Sequence, residues 1–305
     1  MRFPTRDHRF LAFFPPYQTL DPLADPARMP GGQFPIRGAA LIWNLQAGDW
    51  GSGFRAVRER PAGMALLLLL PPVSEIEGTA KLLQLMEHCR PHSVLPHMEA
   101  VDPEDLIPVL RRFPGDFGME VTEYLRWRGV ETDLDTRRLI RKTLELSADI
   151  RTVSGLARSL YLSRRALGRR FMSRGLPVPS HWLHFGRTLR ACLALQAGGV
   201  SLHAVASSLG YPDGFSLSNQ IKRLMNLRPS IMRECFGWEW IVEAWLFQEA
   251  RMNSLSPLLR QHLFPELSLS RGSTSGGEGT GPEVGRMSVA EPRSGCQRNG
   301  SSRKA

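Results

Sequence analysis

The sequence predicts an α/β N-terminal domain, with a small parallel sheet and crossover helices, followed by an all-α domain. Short apolar runs alternate with helical patterns in the first half of the chain, and one helix-pair pattern occurs twice in the second half. The excess of basic residues also falls almost wholly in the second half. A Gly- and Ser-rich tail ends the chain.

Residues 1–36 are rich in proline and glycine and show no sustained period, so we expect an irregular lead-in. Residues 37–130 form the predicted α/β domain, a candidate sensor or association domain. Its predicted strands are the apolar runs Ala39–Leu45 and Met64–Leu70 and a weaker run, Ser93–Met98. Its predicted helices are Ser52–Glu59, Glu75–Cys89 and Asp102–Arg112. Strands that alternate with helices predict parallel pairing.

This alternation weakly resembles the later half of a response-regulator receiver domain. A receiver carries a phosphoacceptor aspartate at the end of a central strand, but the strand Ala39–Leu45 contains Asn44 and no acid. Asp49 follows several residues later, in a Gly-rich turn. The departure puts phosphorylation of this domain in doubt.

Three further segments complete the chain. Apolar residues at helical spacing predict a connecting helix over residues 131–149. Residues 236–253 carry three tryptophans and predict an aromatic C-terminal helix, which either packs back on the domain or makes a dimer contact. From residue 254 to residue 305 we expect a largely disordered tail, because its end is Gly/Ser-rich with few large apolar residues.

Basic charge is concentrated between Ile150 and Cys235. This segment holds thirteen basic residues and two acidic ones, a net charge of +11, whereas the whole chain has +10 and the remainder therefore about −1. Such clustering indicates a polyanionic partner, most often nucleic acid, although a merely solvated basic face is the alternative. Arginine outnumbers lysine here, which favours phosphate contact because a guanidinium binds phosphate with two hydrogen bonds.

A helix-pair pattern occurs twice in the basic segment, at residues 153–179 and 202–229. The matched apolar positions are Leu156 with Val205, Leu160 with Leu209, Leu167 with Leu217, and Phe171 with Ile221. In each copy, Ser163 or Asp213 is placed to cap the second helix. Each copy is thus predicted to be a helix-turn-helix, whose second helix fits the major groove of DNA. A linker helix over residues 180–197 joins the two units.

The segment Ile150–Arg233 resembles the DNA-binding domain of AraC/XylS-type transcription regulators. The stretch SLHAVASSLGY, residues 201–211, matches the family pattern Ser-Ile-x-x-Ile-Ala-x-x-x-Gly-Phe, and Lys222 and Pro229 match the end of the motif. The resemblance implies a double helix-turn-helix DNA-binding domain over residues 150–235. It also implies a sequence-specific transcription regulator that reads two major-groove segments of double-stranded DNA with two helices.

The resemblance, carried over by position, implies which side chains contact DNA. The candidates for base contact are Arg165 and Arg169 in the first unit and Phe215, Ser216 and Asn219 in the second. Gly168 and Gly214 also fall on reading positions, and Gly168 is set aside because it has no side chain to read with. The candidates for phosphate contact are Arg164, Arg170, Lys222 and Arg223. Asn219 replaces the usual arginine of the family, and asparagine favours adenine where arginine favours guanine.

No pattern in the sequence points to catalysis, a cofactor or a metal. The four cysteines are far apart and form no Cys/His cluster, which fits a reducing compartment. We therefore expect a protein that is not an enzyme, with no catalytic residue, no cofactor and no metal. We expect it in the cytoplasm, associated with the bacterial nucleoid and not with a membrane. RNA polymerase and a second copy of the chain are further candidate partners.

Two alternatives remain open. In the first, the N-terminal domain is an enzyme or binds a nucleotide, and the basic domain tethers it to DNA. In the second, the protein binds nucleoid DNA without sequence preference. A catalytic constellation within residues 37–115 would favour the first, and equal affinity for all DNA sequences would favour the second.

Overall fold

A mixed five-stranded sheet forms the centre of the N-terminal region. The computed structural model describes residues 2–5, 7–28, 37–46, 50–72 and 79–269. Its strands are β1 (Phe3–Pro4), β2 (Phe10–Phe13), β3 (Leu20–Leu23), β4 (Ala40–Asn44), β5 (Ala65–Leu69), β6 (Ser93–Leu95) and β7 (Ala100–Val101). The sheet order is β3-β2-β4-β5-β6, while β1 and β7 pair separately. The three strands predicted from apolar runs, now β4, β5 and β6, pair in parallel.

Two crossover helices cover this parallel part, as the sequence predicts. Helix α1 (Trp50–Arg58) connects β4 to β5, and α2 (Thr79–Cys89) connects β5 to β6. Helix α3 (Pro103–Leu110) follows β7 and is capped by Asp102, whose side chain accepts from the backbone N–H of Glu104 at 3.3 Å. Strands β4 and β5 are buried along their whole length, which explains their continuous apolar sequences. The predicted α/β class is confirmed.

The expected irregular lead-in of residues 1–36 is corrected by the structure. Strands β2 and β3 form an antiparallel hairpin, and β2 also pairs antiparallel with β4. All four residues of β2 are buried. A run of four apolar residues is too short to show a strand period, so its sequence gave no signal. Because of this hairpin the sheet is mixed instead of wholly parallel.

The sheet shares the strand order of a receiver-type fold but not its strand directions. Counted from β2, the order is 2-1-3-4-5, as in flavodoxin-like parallel sheets, yet β2 runs antiparallel to both neighbours. Asn44, at the carboxyl end of β4, is buried, and its side-chain amide donates to the carbonyl of Thr5 at 2.6 Å. Asn44 therefore holds the N-terminal segment in place. Asp49 lies outside the described residues.

Eleven helices share one hydrophobic core in the second part of the described chain. They are α4 (Phe117–Trp127), α5 (Leu134–Leu146), α6 (Val153–Ser159), α7 (Arg164–Met172), α8 (Pro179–Ala197), α9 (Leu202–Ser208), α10 (Gly214–Met225), α11 (Pro229–Glu234), α12 (Glu239–Arg251), α13 (Pro257–Leu263) and α14 (Glu266–Leu269). The predicted connecting helix is α5, which packs on α4 and α8 and so belongs to this core. The core begins at Phe117, inside the segment that the sequence assigns to the α/β domain.

The tail expected to be disordered from residue 254 begins with two helices, α13 and α14. Ser256 caps α13 by accepting from the N–H of Leu259 at 3.3 Å. Leu263 and Phe264 are buried in the helical core, and the rings of Phe264 and Phe247 lie 5.5 Å apart. The composition that predicts disorder is concentrated after residue 269, outside the described residues. Composition averaged over the whole tail therefore concealed a packed first part.

Helix α12 is buried on nearly all sides and carries three buried carboxylates. The Glu243 carboxylate accepts from the hydroxyl of Tyr124 at 2.8 Å and from Nε of Arg128 at 2.6 Å. The Glu249 carboxylate accepts from Nε1 of Trp245 at 3.0 Å and lies 2.7 Å from Nδ1 of His181. Trp238, Trp240 and Trp245 are all buried, so this helix packs back on the domain, the first of the two alternatives.

His92 joins the α/β region to the third carboxylate, that of Glu239, as an imidazolium. Its Nδ1 lies 2.8 Å from Oε1 of Glu239, and its Nε2 lies 3.1 Å from the carbonyl oxygen of Val109. Because both partners can only accept, both ring nitrogens must donate. Burial acts to lower the pKa of His92, but the Glu239 carboxylate and the Val109 carbonyl outweigh it and raise that pKa. Burial acts to raise the pKa of Glu239, and His92 outweighs it, so that pKa is lowered.

We expect the His92–Glu239 pair to stabilise the fold most between about pH 4.3 and about pH 6.5, the unfolded pKa values of Glu and His. The histidine contribution is complete below the lower of its two pKa values and is lost as pH rises through the raised folded pKa. The carboxylate contribution is complete above pH 4.3 and is lost as pH falls through its lowered folded pKa. At pH 6, Glu239→Gln should reduce the free energy of unfolding by about 3 kcal/mol in urea denaturation, because it leaves a buried imidazolium unpaired.

The pH dependence of His92→Gln distinguishes this ion pair from ordinary packing. The difference in unfolding free energy between the wild type and His92→Gln should shrink from pH 6 towards pH 10. Gln84→Ala, at an exposed and uncharged side chain of α2, is the control and should show no such trend. An equal difference at the two pH values would contradict the ion-pair account.

Candidate nucleic-acid interface

Two helix-turn-helix units lie in the basic segment, α6 with α7 and α9 with α10. All four helices begin at a capping residue whose side-chain oxygen accepts from the backbone N–H three positions later. The caps are Thr152 at 3.1 Å, Ser163 at 3.1 Å, Ser201 at 3.1 Å and Asp213 at 2.6 Å. The backbone N–H of Ser216 lowers the pKa of Asp213, which stays ionised at its cap. The predicted caps Ser163 and Asp213 are confirmed.

The turns of the two units are built alike. The N–H of Leu162 donates to the carbonyl of Ala157 at 2.9 Å, and the N–H of Tyr211 donates to the carbonyl of Ala206 at 2.8 Å. The residue before each donor is left-handed, with φ +54° at Tyr161 and φ +69° at Gly210. Glycine suits this conformation, whereas a tyrosine there is strained. The apolar positions matched between the copies are buried or half-buried, as the repeat predicts.

The linker helix α8 supports both second helices. Both α7 and α10 pack on α8, and α10 also packs on α12. Phe171 of α7 lies 6.2 Å from the ring of Trp182 on α8, and Phe185 of α8 stacks on Trp245 of α12 at 4.0 Å. Gly186 of α8 leaves no room for a side chain, because a Cβ there would clash with Ser147 just after α5. The two second helices are thus fixed to one rigid support.

The outer side of α7 is strongly basic. Arg164, Arg165, Arg169 and Arg170 are all exposed, and Arg165 and Arg169 are four residues apart, so they share one face. Gly168 lies between them, and a Cβ there would meet no atom within 4 Å. This face therefore offers two exposed guanidinium groups with open space at Gly168 between them.

The outer side of α10 has a different chemistry. Phe215 is 75 % exposed, and Asn219 and Lys222 are exposed at spacings of four and three residues, so the three side chains form one stripe. Ser216 is half-buried beside this stripe. Arg223 is exposed and donates to Oε1 of Gln220 at 2.9 Å. Phe215 and Asn219 occupy the positions that Arg165 and Arg169 occupy in α7, so an apolar and amide surface replaces a charged one.

Several of the thirteen basic residues have structural partners instead of facing an open surface. Arg174 pairs with Asp133, the Arg187 guanidinium lies over the ring of Tyr211, and Arg233 donates to the carbonyl of Val200. Arg190 donates to the carbonyls of Leu144 and Glu145 at the end of α5. Among the described residues of this set, the side chains that are exposed and form no ion pair include those of Arg151, Arg158, Arg164, Arg165, Arg169, Arg170, Lys222, Arg223 and Arg228. The accessible charge is therefore concentrated on the second helices and their flanks.

Sequence reasoning missed one exposed aromatic residue, Tyr161. Its side chain is 97 % exposed in the turn that leads into α7, at the left-handed position where the second unit has Gly210. The signal in the sequence was the mismatch between the two copies, which have Tyr161 and Gly210 at the same position. A non-glycine residue in a left-handed conformation is strained, and such residues are often found at functional sites. Tyr161 thus joins the candidate contacts of the first unit.

Other kinds of site find little support in the part of the chain described. No group of three or more His, Cys, Asp or Glu side chains is placed there to hold a metal ion. Cys89, Cys192 and Cys235 are buried free thiols, and Cys296 lies outside the described residues. None of the described helices combines the length and the hydropathy needed to cross a bilayer.

Comparison with known proteins identifies the helical units. A family model described as a helix-turn-helix domain matches residues 156–234. The chain is similar to the transcriptional regulator CdpR from Pseudomonas aeruginosa, with 21% identity over 55% of this chain and 54% of that chain and a TM-score of 0.29. It is also similar to the xylose-binding transcription activator XylR, with 11% identity over 61% of this chain and 58% of that chain and a TM-score of 0.32. The alignments thus span somewhat more than half of each of those two chains, and no curated protein matches.

The matched range begins in α6, ends with α11, and includes both units and the linker helix between them. Its boundaries agree with the segment that the sequence assigned to the AraC/XylS type. Residues 156–234 of this chain are therefore a helix-turn-helix domain of the AraC type.

Proposed function

We propose that the protein is a sequence-specific transcription regulator that reads two segments of the major groove, one with α7 and one with α10. The observation that carries this proposal is that two capped helices of the same build pack on one linker helix and leave their outer sides exposed. In helix-turn-helix proteins the second helix enters the major groove, and neighbouring major-groove segments on one face of DNA are about 34 Å apart.

In the first unit, Arg165 and Arg169 are proposed to contact bases and their neighbours to contact phosphates. An arginine that reaches a guanine binds O6 and N7 with two hydrogen bonds, the commonest specific contact in the major groove. Arg164 and Arg170 flank this pair on the same helix, and their exposure supports the proposal that they bind the backbone on either side. Phosphate contacts position the domain without selecting a sequence.

In the second unit, Phe215, Ser216 and Asn219 are proposed to contact bases, with Lys222 and Arg223 on phosphates. The exposed ring of Phe215 suits the methyl group of thymine, and the amide of Asn219 suits N6 and N7 of adenine. The first unit should therefore favour guanine and the second unit A·T pairs. RNA polymerase contact and a homodimer stay predictions.

The two alternatives differ from this proposal in what they require. An enzymatic or nucleotide-binding N-terminal region would need a reactive constellation, and Asn44, the polar residue at the end of the central strand, is instead buried and bonded to Thr5. Non-specific nucleoid binding would need only the phosphate contacts. It is separated from the proposal by the ratio of specific to non-specific affinity, expected to be at least ~10³ for a regulator.

Removal of the two base-contacting arginines should lower specificity more than general affinity. For a site identified by genome-wide mapping of bound DNA, we expect Arg165→Ala and Arg169→Ala each to weaken binding about tenfold or more, since a bidentate contact contributes about 1–3 kcal/mol of discrimination. Binding to DNA of scrambled sequence should weaken much less. Fluorescence anisotropy with the mapped site and with the scrambled DNA, at one fixed salt concentration, measures the ratio of the two affinities for each variant.

The double variant Arg165→Ala/Arg169→Ala is compared with the control Arg55→Ala/Arg251→Ala, which removes the same charge from exposed residues outside the two units. The control should leave the ratio unchanged. If the Arg165/Arg169 variant and Asn219→Ala weaken binding to every sequence by the same factor, readout by these side chains is wrong.

The phosphate candidates are tested by salt dependence. We expect Lys222→Ala/Arg223→Ala to weaken binding to all sequences alike and to reduce the slope of log K against log salt by about 0.9 for each lost phosphate contact. Titrations at four or more salt concentrations measure the slope, again with Arg55→Ala/Arg251→Ala as the control. An unchanged slope would place these two side chains away from the backbone.

A further inference from the structure

A cavity of about 210 Å³ lies where the α/β region meets the helical core. Its walls come from the turn between α2 and β6, the loop between α3 and α4, helix α4, and the start of α12. The residues that matter to its chemistry are Arg90, His92, Arg112, Phe113, Tyr124 and Trp238. The cavity is therefore built by the same residues that hold the two parts of the chain together.

The cavity keeps an excess of positive charge after its internal ion pairs are formed. Arg90 pairs with Glu120, and His92 pairs with Glu239, so these four groups balance. Arg112 is exposed, and its side chain makes no hydrogen bond or ion pair with any described residue. The remaining charge at the cavity is the guanidinium of Arg112.

Arg90 also has two unusual features of its own. Its Nε is buried and donates to no acceptor among the described residues, although a buried donor is nearly always satisfied. Its backbone is left-handed, with φ +48°, at the end of α2, a position where glycine is the usual residue. Strain of this kind is typical of ligand-binding positions, where the side chain is needed.

We propose that this cavity binds a small organic anion, whose carboxylate or phosphate group is held by Arg112 together with Arg90. The exposed ring of Phe113 and the side chain of Trp238 border the same space, so the apolar body of the ligand packs against them. A planar guanidinium binds either oxyanion with paired hydrogen bonds. The proposal does not depend on DNA binding by this chain.

Ligand in this cavity would contact the residues that set the position of α12. Glu239 and Trp238 lie at the start of that helix, and α12 packs on α8 and on α10. A bound anion could therefore change the position of α12, and with it the position of α10, which packs on α12. An effect of the ligand on DNA affinity would follow only if the function proposed above is also correct.

The test is isothermal titration calorimetry on the full chain with benzoate, inorganic phosphate and uncharged benzamide. We expect saturable binding of benzoate, phosphate or both at one site, and none of benzamide. Benzoate alone would indicate a carboxylate with an apolar body, and phosphate alone a phosphate group. Arg112→Gln should weaken binding about tenfold or more, the loss expected for a charge-assisted hydrogen bond.

Arg55→Gln is the matched control, because it removes the same charge from an exposed residue outside the cavity. Arg112 is exposed and unpaired, so its variant should have the thermal stability of the wild type, which is measured alongside. Absence of saturable binding by both anions at millimolar concentration overturns the proposal, as does equal binding by wild type and Arg112→Gln. Failure of the chain to bind DNA would leave these results unaffected.

Discussion

Three buried carboxylates on α12 fix how the parts of this chain fit together. Each is paired with side chains of other elements: Glu239 with His92, Glu243 with Tyr124 and Arg128, and Glu249 with His181. A buried charge left without its partner costs several kcal/mol, so a shift of α12 along its axis would break all three pairs at once. The hydroxyl of Tyr124 also accepts from the N–H of Gly63, which extends the network into the α/β region. One helix thus fixes the sheet, α4 and the linker α8 in position relative to one another.

Helix α12 packs on α8 and α10 and so helps to fix the relative positions of the two helix-turn-helix units. The second helices of both units, α7 and α10, are held by buried aromatic and aliphatic contacts, whereas their outer surfaces differ. The first unit presents Arg165 and Arg169, whereas the second presents Phe215 and Asn219 at the matched positions. Cationic contacts dominate affinity and its salt dependence, while apolar and amide contacts add selectivity. A shared scaffold with two unlike surfaces suits an asymmetric DNA site.

The sequence was informative where structure depends on local pattern. The apolar runs of β4 and β5, the repeated helix pair, and the caps Ser163 and Asp213 could all be found because each is defined within a few residues. It was uninformative where structure depends on distant partners. The ion pair of His92 and Glu239 joins residues that are 147 positions apart in the sequence. The four-residue segment β2 is a strand only because it pairs with β3 and β4. Sequence position alone also could not tell the exposed arginines of α7 from Arg187 and Arg190, which pack on aromatic rings.

Hydroxyl-radical footprinting of a bound site tests the central claim most directly, namely that α8 and α12 hold two recognition helices in one fixed spacing. The account predicts two protected segments on the same face of the DNA, with centres about one helical turn, roughly 10 base pairs, apart. The spacing should be the same at every bound site, since the support between the helices is rigid. A single protected segment, or two segments whose spacing changes from site to site, would contradict it.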